Sequence, residues 1–219
     1  MWRIDRPTVF VVGARKCGTS SVFRWLTLAS SVSGCCVKEP HFFSMPSRTV
    51  RENEKWYRSL FSADSKVWLE GSTSYLYSER GMDHIATYAK DPYLLVLRRD
   101  PVERTISDYM HMHSKSGGFE RRGLETVVSR IEKRVASGRT LREAESESLM
   151  EAAKKGDIVP SYLDGRYLSR HANAPFDTRF EDELWVYRYF WNSVYHKHVA
   201  KLQDRFGERV RVHDLEATI

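Results

Sequence analysis

A short apolar run, Thr8-Val9-Phe10-Val11-Val12, leads without a break into Gly13-Ala14-Arg15-Lys16-Cys17-Gly18-Thr19-Ser20-Ser21. A continuous run of this kind reads as a strand buried on both faces. Beyond the turn, Val22, Phe23, Leu26 and Ala29 recur at helical spacing, and Ser33-Gly34 reads as the end of that helix. Strand, glycine-bearing turn and helix in immediate succession form the start of a βαβ unit. That unit commits the chain to a parallel sheet covered by helices.

The rest of the sequence repeats the alternation. Strands are predicted at 67–70 and 93–97, the second bounded by Asp91-Pro92 and Asp100-Pro101. Pro101 is well placed to open a helix, which should run over about 101–115. Residues 117–156 are rich in Arg, Glu, Lys and Ser with weak apolar periodicity, and read as surface helices around a flexible excursion. The aromatic run 184–195 is expected to begin a long helix ending near Phe206-Gly207, and Val210-Arg211-Val212 reads as a last strand. The fold class predicted is α/β, a three-layer α/β/α arrangement on a central parallel sheet. With 219 residues of which 41% are hydrophobic, 1–219 is read as a single domain, and no internal repeat is visible. Ligands of such sheets sit beyond the carboxyl ends of the strands. Both Gly13–Ser21 and Arg98–Ser107 fall at such ends.

The formal net charge of +6 favours anionic partners. The charge is spread along the chain, and no reading helix, RNP-type aromatic pattern or zinc module is present, so nucleic acid is not an expected partner. Cys17, Cys35 and Cys36 are too few and too close together for a disulfide framework, and a vicinal pair closes a strained ring. No Cys or His spacing suits zinc, so no metal is expected. Reduced thiols fit a cytoplasmic setting. No stretch reaches the ~20 apolar residues of a membrane span, and no signal-like run follows residues 1–7. A Golgi lumenal setting is the alternative if the chain belongs to a longer anchored protein. Oligomeric state is left open.

The turn at 13–21 offers backbone N–H groups and the positive end of a helix dipole, a ready site for an anion. Lys16 adds a full charge, and Thr19, Ser20 and Ser21 add hydroxyls. Gly13 and Gly18 have the spacing of the Walker A loop, yet Thr19 stands where its lysine should be, and the lysine lies inside the loop.

On Lys16-Cys17-Gly18-Thr19-Ser20 the sequence resembles the sulfotransferases that use 3′-phosphoadenosine-5′-phosphosulfate (PAPS), which have a P-loop-like fold and grip the 5′-phosphosulfate with a K-x-G-T-[ST] loop. The resemblance continues at Arg99-Asp100-Pro101-Val102-Glu103-Arg104-Thr105-Ile106-Ser107-Asp108-Tyr109, which follows the family's R-x-P-x-x-R-x-x-S-x-Y stretch. It implies PAPS as co-substrate, residues Arg15 to Ser21 around the 5′ end, and Arg99 and Ser107 on the 3′-phosphate. Arg104 reads as a helix-surface charge. Lys38-Glu39-Pro40-His41-Phe42-Phe43-Ser44 looks like the E-P-H-F-F segment of the heparan-sulfate-type and related bacterial enzymes. By that likeness Glu39 is the catalytic base, Lys16 stabilises the departing phosphate, and His41 orients the acceptor or shares the base role. Phe42 and Phe43 read as core.

Related enzymes often carry E-K-[ST]-P-x-Y after the second strand. This chain has Glu70-Gly71-Ser72-Thr73-Ser74-Tyr75, so a second catalytic cation must come from elsewhere, Lys38 being a candidate. The resemblance spans Val9 to Tyr109. It is faint over Gly165-Arg166-Tyr167-Leu168 and Val210 to Glu216, and absent between 117 and 156. The expected acceptor is a hydroxyl or amine of a sugar or polar small molecule. His111, His113, Lys115, Tyr162 and Arg166 are expected to line its pocket, with 117–156 shaping acceptor choice. The alternatives are a P-loop nucleotide kinase and a non-catalytic nucleotide-binding member of the same fold.

Overall fold

The computed structural model describes residues 2–114, 118–159, 174, 176 and 184–215. Its centre is one five-stranded sheet, β1 (Thr8–Gly13), β2 (Val32–Gly34), β3 (Val67–Gly71), β4 (Tyr93–Arg98) and β5 (Val210–Asp214). All neighbours pair in parallel, in the order β2-β3-β1-β4-β5. Helices flank this sheet, as the alternation of the sequence required. β1 is the innermost strand, with Phe10, Val11 and Val12 fully buried. The connection leaving β1 runs to one side of the sheet through α1 (Thr19–Leu26). Those through α4 (Glu79–Tyr88) and α5 (Pro101–His113) lead to the other side. The chain direction therefore switches at the carboxyl ends of β1 and β4, where a crevice opens in sheets of this type.

Four features differ from the sequence reading. α1 stops at Leu26, and Ser33-Gly34 belongs to the edge strand β2, three residues whose register is set by pairing with β3. Three residues are too few to show a periodicity. α4 was not anticipated, although Ser78 caps it by accepting from the Gly81 amide and Met82 and Ile85 supply its buried face.

Residues 117–156 are no loose excursion where described. α6 (Leu124–Ala136) and α7 (Leu141–Lys155) pack through Val127, Ile131, Ala144, Leu149 and Ala152. Thr140 and Glu143 form a reciprocal capping box at the start of α7. The weak periodicity reflects how few apolar residues this pair needs, because its inner face is shared with the aromatic run. That run, finally, is two tight turns, Trp185–Tyr187 and Trp191–Ser193, before α8 (Tyr195–Phe206). Trp185, Val186, Tyr187 and Tyr189 are all buried, and one helix face cannot bury three successive residues.

The remaining short elements are α2 (Ser47–Glu52), α3 (Glu54–Ser59) and a 3₁₀ turn at Phe42–Ser44. Phe42 and Phe43 are core residues, fully buried against Trp2 and Tyr57. None of the three cysteines is bonded to another. Among the described residues no helix is long and apolar enough to cross a membrane.

Candidate active site

Three loops meet at the carboxyl edge of the sheet, each hanging from an inner strand. The loop after β1 is bound to β4 directly, the Ala14 amide donating to the Leu97 carbonyl at 2.8 Å. Within it Lys16 and Gly18 take left-handed backbone angles, φ 69° and 73°. Gly13 lies so close to Leu76 that an added Cβ would meet its Cδ2 at 2.9 Å. α1 starts at Thr19 after Gly18, which supplies no side-chain cap; the Ser21 amide turns back to Gly18 O at 3.0 Å, and an uncapped start of this kind can receive an anion. Lys16 is half-buried, while Ser20 and Ser21 are exposed and Thr19 is buried. Cys17 faces inward: its amide closes on Ala14 O at 3.2 Å and its thiol lies 3.5 Å from the Tyr195 hydroxyl.

Arg15 is buried and occupied. It donates from Nη1 to Val186 O at 3.1 Å, contacts Asp108 Oδ1 through Nε at 3.1 Å, and lies over the Trp185 ring.

The second loop follows β4. Asp100 caps α5 by accepting from the Glu103 amide at 2.8 Å, and Pro101 occupies the first helical position. Arg99 pairs with Glu103, while its Nε is buried without an acceptor. Ser107 stands half-buried on α5.

Arg104 corrects the reading of a surface charge: it has no solvent exposure at all. Its Nε donates to Arg15 O at 3.1 Å, Nη1 to Tyr189 O and Ser193 Oγ at 2.9 Å each, and Nη2 to Asp108 Oδ2 at 2.5 Å. The i,i+4 spacing of Arg104 and Asp108 was the available signal, but such pairs are usually exposed.

The third group descends from β3. The Glu39 amide donates to Gly71 O at 2.9 Å, which anchors the Glu39–His41 corner to the strand end. Glu39 and His41 both have positive φ, 61° and 51°, a conformation that non-glycine residues adopt seldom and at a cost. The three residues after Gly71 each hold this corner. Ser72 Oγ accepts from the His41 amide at 2.9 Å. Thr73 donates its amide and hydroxyl to Glu39 Oε2 at 2.8 and 3.0 Å. Ser74 Oγ lies 2.8 Å from His41 Nδ1. None of the three was singled out from the sequence.

Lys38 pairs with Glu39 Oε1 at 2.7 Å, and His41 Nε2 stands 3.3 Å from Oε2. Burial pushes the Glu39 carboxyl up, but His41, Lys38 and the Thr73 amide more than offset it, so it is ionised at neutral pH. Burial drives His41 the other way, down to about 4. Beneath the corner, Glu70 is fully buried with Tyr57 and Tyr75 hydroxyls donating to Oε2 at 3.0 Å each, and burial pushes it up to about 7.

Gly71 itself is packed. A Cβ there would meet Phe23 Cδ2 at 3.0 Å, so a lysine in its place has to displace the ring. Lys38, on Glu39, is the cation found at this corner among the described residues.

Behind His41, whose ring stands edge-on to Trp185 at 5.8 Å, lies a cavity of about 240 Å³. Ser74, Tyr77, Arg142, Trp185, Trp191 and Lys197 are among its walls. His113 is not: its Nδ1 lies 2.9 Å from Glu120 O and its ring stacks on Tyr109. Nor is His111 among the lining residues. Lys115, Tyr162, Arg166 and the stretch Gly165–Leu168 lie outside the described residues. Among the described residues no three His, Cys, Asp or Glu side chains gather as a metal site would require.

No family model matches the chain. Over 111 residues, half of its length, it is 33% identical to human heparan sulfate glucosamine 3-O-sulfotransferase 3B1. Over 115 residues it is 34% identical to human heparan sulfate glucosamine 3-O-sulfotransferase 6. The matched stretches span only 27% and 32% of those two proteins. Among solved structures, a sulfotransferase from Alicyclobacillus acidocaldarius superposes with a TM-score of 0.62 over 98% of this chain and 75% of that one, at 23% identity. That likeness is one of fold.

Proposed function

We propose, from the premise that the chain is a relative of the sulfotransferases, that it moves a sulfuryl group from PAPS to a hydroxyl or amine of a carbohydrate or other polar acceptor. The observation that carries this reading is the junction at the sheet edge. The turns that carry Lys16 and Arg99 hang from hydrogen-bonded neighbours β1 and β4, and an ionised carboxylate, Glu39, is held one strand away and remains one-fifth exposed.

In this reading the loop Arg15 to Ser21 takes the 5′ end of the donor, chiefly through Lys16, the α1 amides and the exposed hydroxyls. Arg99 and Ser107 take the 3′-phosphate. The buried Arg99 Nε–H, with no acceptor among the described residues, suits that role. The acceptor oxygen attacks sulfur in line with the departing phosphate oxygen. A new O–S bond forms as the old one breaks, the acceptor proton passes to Glu39, and adenosine 3′,5′-bisphosphate leaves. Lys16 stabilises the charge that builds on the leaving oxygen. Lys38, paired with Glu39, is the cation nearest the base and stands in for the lysine missing at Gly71.

We place a part of the acceptor remote from its reacting group in the cavity beside His41, with the reacting group itself at Glu39. Trp185, Trp191 and Tyr77 offer ring faces suited to a sugar, and Arg142, Lys197 and Arg80 a positive rim. The 117–156 segment reaches the cavity through Arg142 alone among the residues lining it.

The test has two parts. Adenosine 3′,5′-bisphosphate should stabilise the protein against heat without Mg²⁺. Transfer of labelled sulfate from PAPS to a panel of sugars should fall by about 10² or more in Glu39→Gln, with the bisphosphate still bound. Stabilisation only by ATP with Mg²⁺ would instead indicate a kinase. Bisphosphate binding with no transfer to any acceptor would indicate a passive binder, a reading that the packed Gly71 favours.

A further inference from the structure

His41, Ser74 and Ser44 form a continuous buried chain. Ser44 Oγ lies 2.8 Å from Ser74 Oγ, which lies 2.8 Å from His41 Nδ1, and the other ring nitrogen faces Glu39 Oε2 at 3.3 Å. All three members are at most 9% exposed.

A neutral imidazole has one N–H and one lone pair, and either nitrogen can carry the proton. With the proton on Nδ1, the ring would donate to Ser74 and turn its Nε2 lone pair toward a carboxylate oxygen, a repulsive contact in a site with little water to screen it. With the proton on Nε2, the positive N–H edge of the ring lies 3.3 Å from the carboxylate, an attractive electrostatic contact. Nδ1 then accepts from the Ser74 hydroxyl, and Ser74 Oγ accepts from Ser44. Only this direction is attractive at both ends. Among the described residues, charged groups facing the ring include Glu39, Lys38 and Arg15. The two cations join burial in opposing a doubly protonated ring, so the choice is between neutral tautomers.

We propose that Ser74, backed by Ser44, is a positioning residue that locks His41 as the Nε2–H tautomer, so that the ring presents an N–H edge to Glu39 and is not a second base. The proposal rests on the reading of Glu39 as the base only for its catalytic meaning; the tautomer is independent of it. Its effect on the reaction is to leave Glu39 as the single acceptor of the proton and to hold that carboxylate from the side opposite Lys38.

The experiment is long-range ¹H–¹⁵N correlation NMR on the full chain labelled in histidine, with the His41 ring identified by its loss in His41→Gln. The wild-type ring should show a protonated Nε2 and an unprotonated Nδ1 from pH 6 to pH 8. Ser74→Ala should give averaged nitrogen shifts, the mark of exchange between tautomers, and Ser44→Ala a smaller movement in the same direction. In a transfer assay Ser74→Ala should lower kcat about tenfold, as expected for one lost hydrogen bond, with the KM for PAPS unchanged. A wild-type ring protonated on Nδ1, or a ring whose spectrum is the same in Ser74→Ala, overturns the proposal. The wild-type spectrum decides even if the variants do not fold. Absence of sulfuryl transfer with the expected spectrum would instead remove the role of Glu39 and leave the tautomer standing.

Discussion

Arg104 Nε donates to the main-chain carbonyl of Arg15 across 3.1 Å, which fastens the middle of α5 to the loop after β1 through a side chain with no exposure to solvent. The same guanidinium holds Tyr189 O, Ser193 Oγ and Asp108. One side chain thus joins the two turns proposed to grip the donor and the aromatic segment that walls the cavity.

Replacing Arg104 by Met should therefore destabilise the fold by about 3–5 kcal/mol, because it removes one of the two buried guanidinium partners of Asp108 and the donor to the Arg15 and Tyr189 carbonyls. The double variant Arg104→Met, Asp108→Asn should lose less than the two single changes added together. Urea unfolding of the four proteins measures both. A loss under ~1 kcal/mol for Arg104→Met would mean the burial of this pair is not maintained in solution.

Arg99→Ala should weaken adenosine 3′,5′-bisphosphate about 10- to 100-fold, the range for a charge-assisted hydrogen bond, and leave thermal stability nearly unchanged. Its partner Glu103 lies on the surface, so Glu103→Gln should tighten binding or leave it unaltered. Calorimetric titration at two salt concentrations gives the comparison. An unaltered affinity in Arg99→Ala would exclude it from the nucleotide site.

Glu70 sets a pH dependence of stability. Its folded pKa is raised from 4.5 to about 7, so between those values the folded state holds a proton that the unfolded chain has released. Folding then binds protons, and stability falls as pH rises through that window. Above pH 7 the full penalty, on the order of 3–4 kcal/mol, is in place. Glu70→Gln should be the more stable protein at pH 8, and the difference should shrink toward pH 5. Denaturant midpoints at four pH values test this, and a Gln variant less stable at pH 8 would contradict it.

Gly71→Ala should cost about 1–3 kcal/mol through the clash with Phe23, and Phe23→Leu should recover part of that loss. Gly71→Lys on the Phe23→Leu background should fold better than on the wild type. Thermal denaturation ranks the set, and equal effects of Gly71→Ala in both backgrounds would show that the ring is not the obstacle.

β1, β3, β4, β5, α5 and the turn after β1 were legible because each rests on local pattern: apolar runs, the Gly13 and Gly18 spacing, and Asp100-Pro101 at a helix start. The sheet order was not, since parallel register is fixed by contacts distant in sequence. Arg104 was misread for a physical reason. Its burial depends on Tyr189 and Ser193, which the chain brings back from far downstream. Ser72, Thr73 and Ser74 looked like an ordinary polar turn. Only the fold shows that their donors and acceptors meet Glu39 and His41. The aromatic run was mistaken for a helix because its residues are buried on every side, and periodicity disappears when no face is left for water.

β1 is made first and ends up innermost. Val9 pairs with Leu69 on one side and with Tyr93 on the other. On a ribosome, then, the strand carrying the Lys16 turn emerges with neither neighbour yet synthesised, and it stays an exposed apolar segment until β4 has left the exit tunnel. The strand buried deepest in the finished sheet is thus apolar and unpartnered early in translation, which makes it a segment for a chaperone to cover.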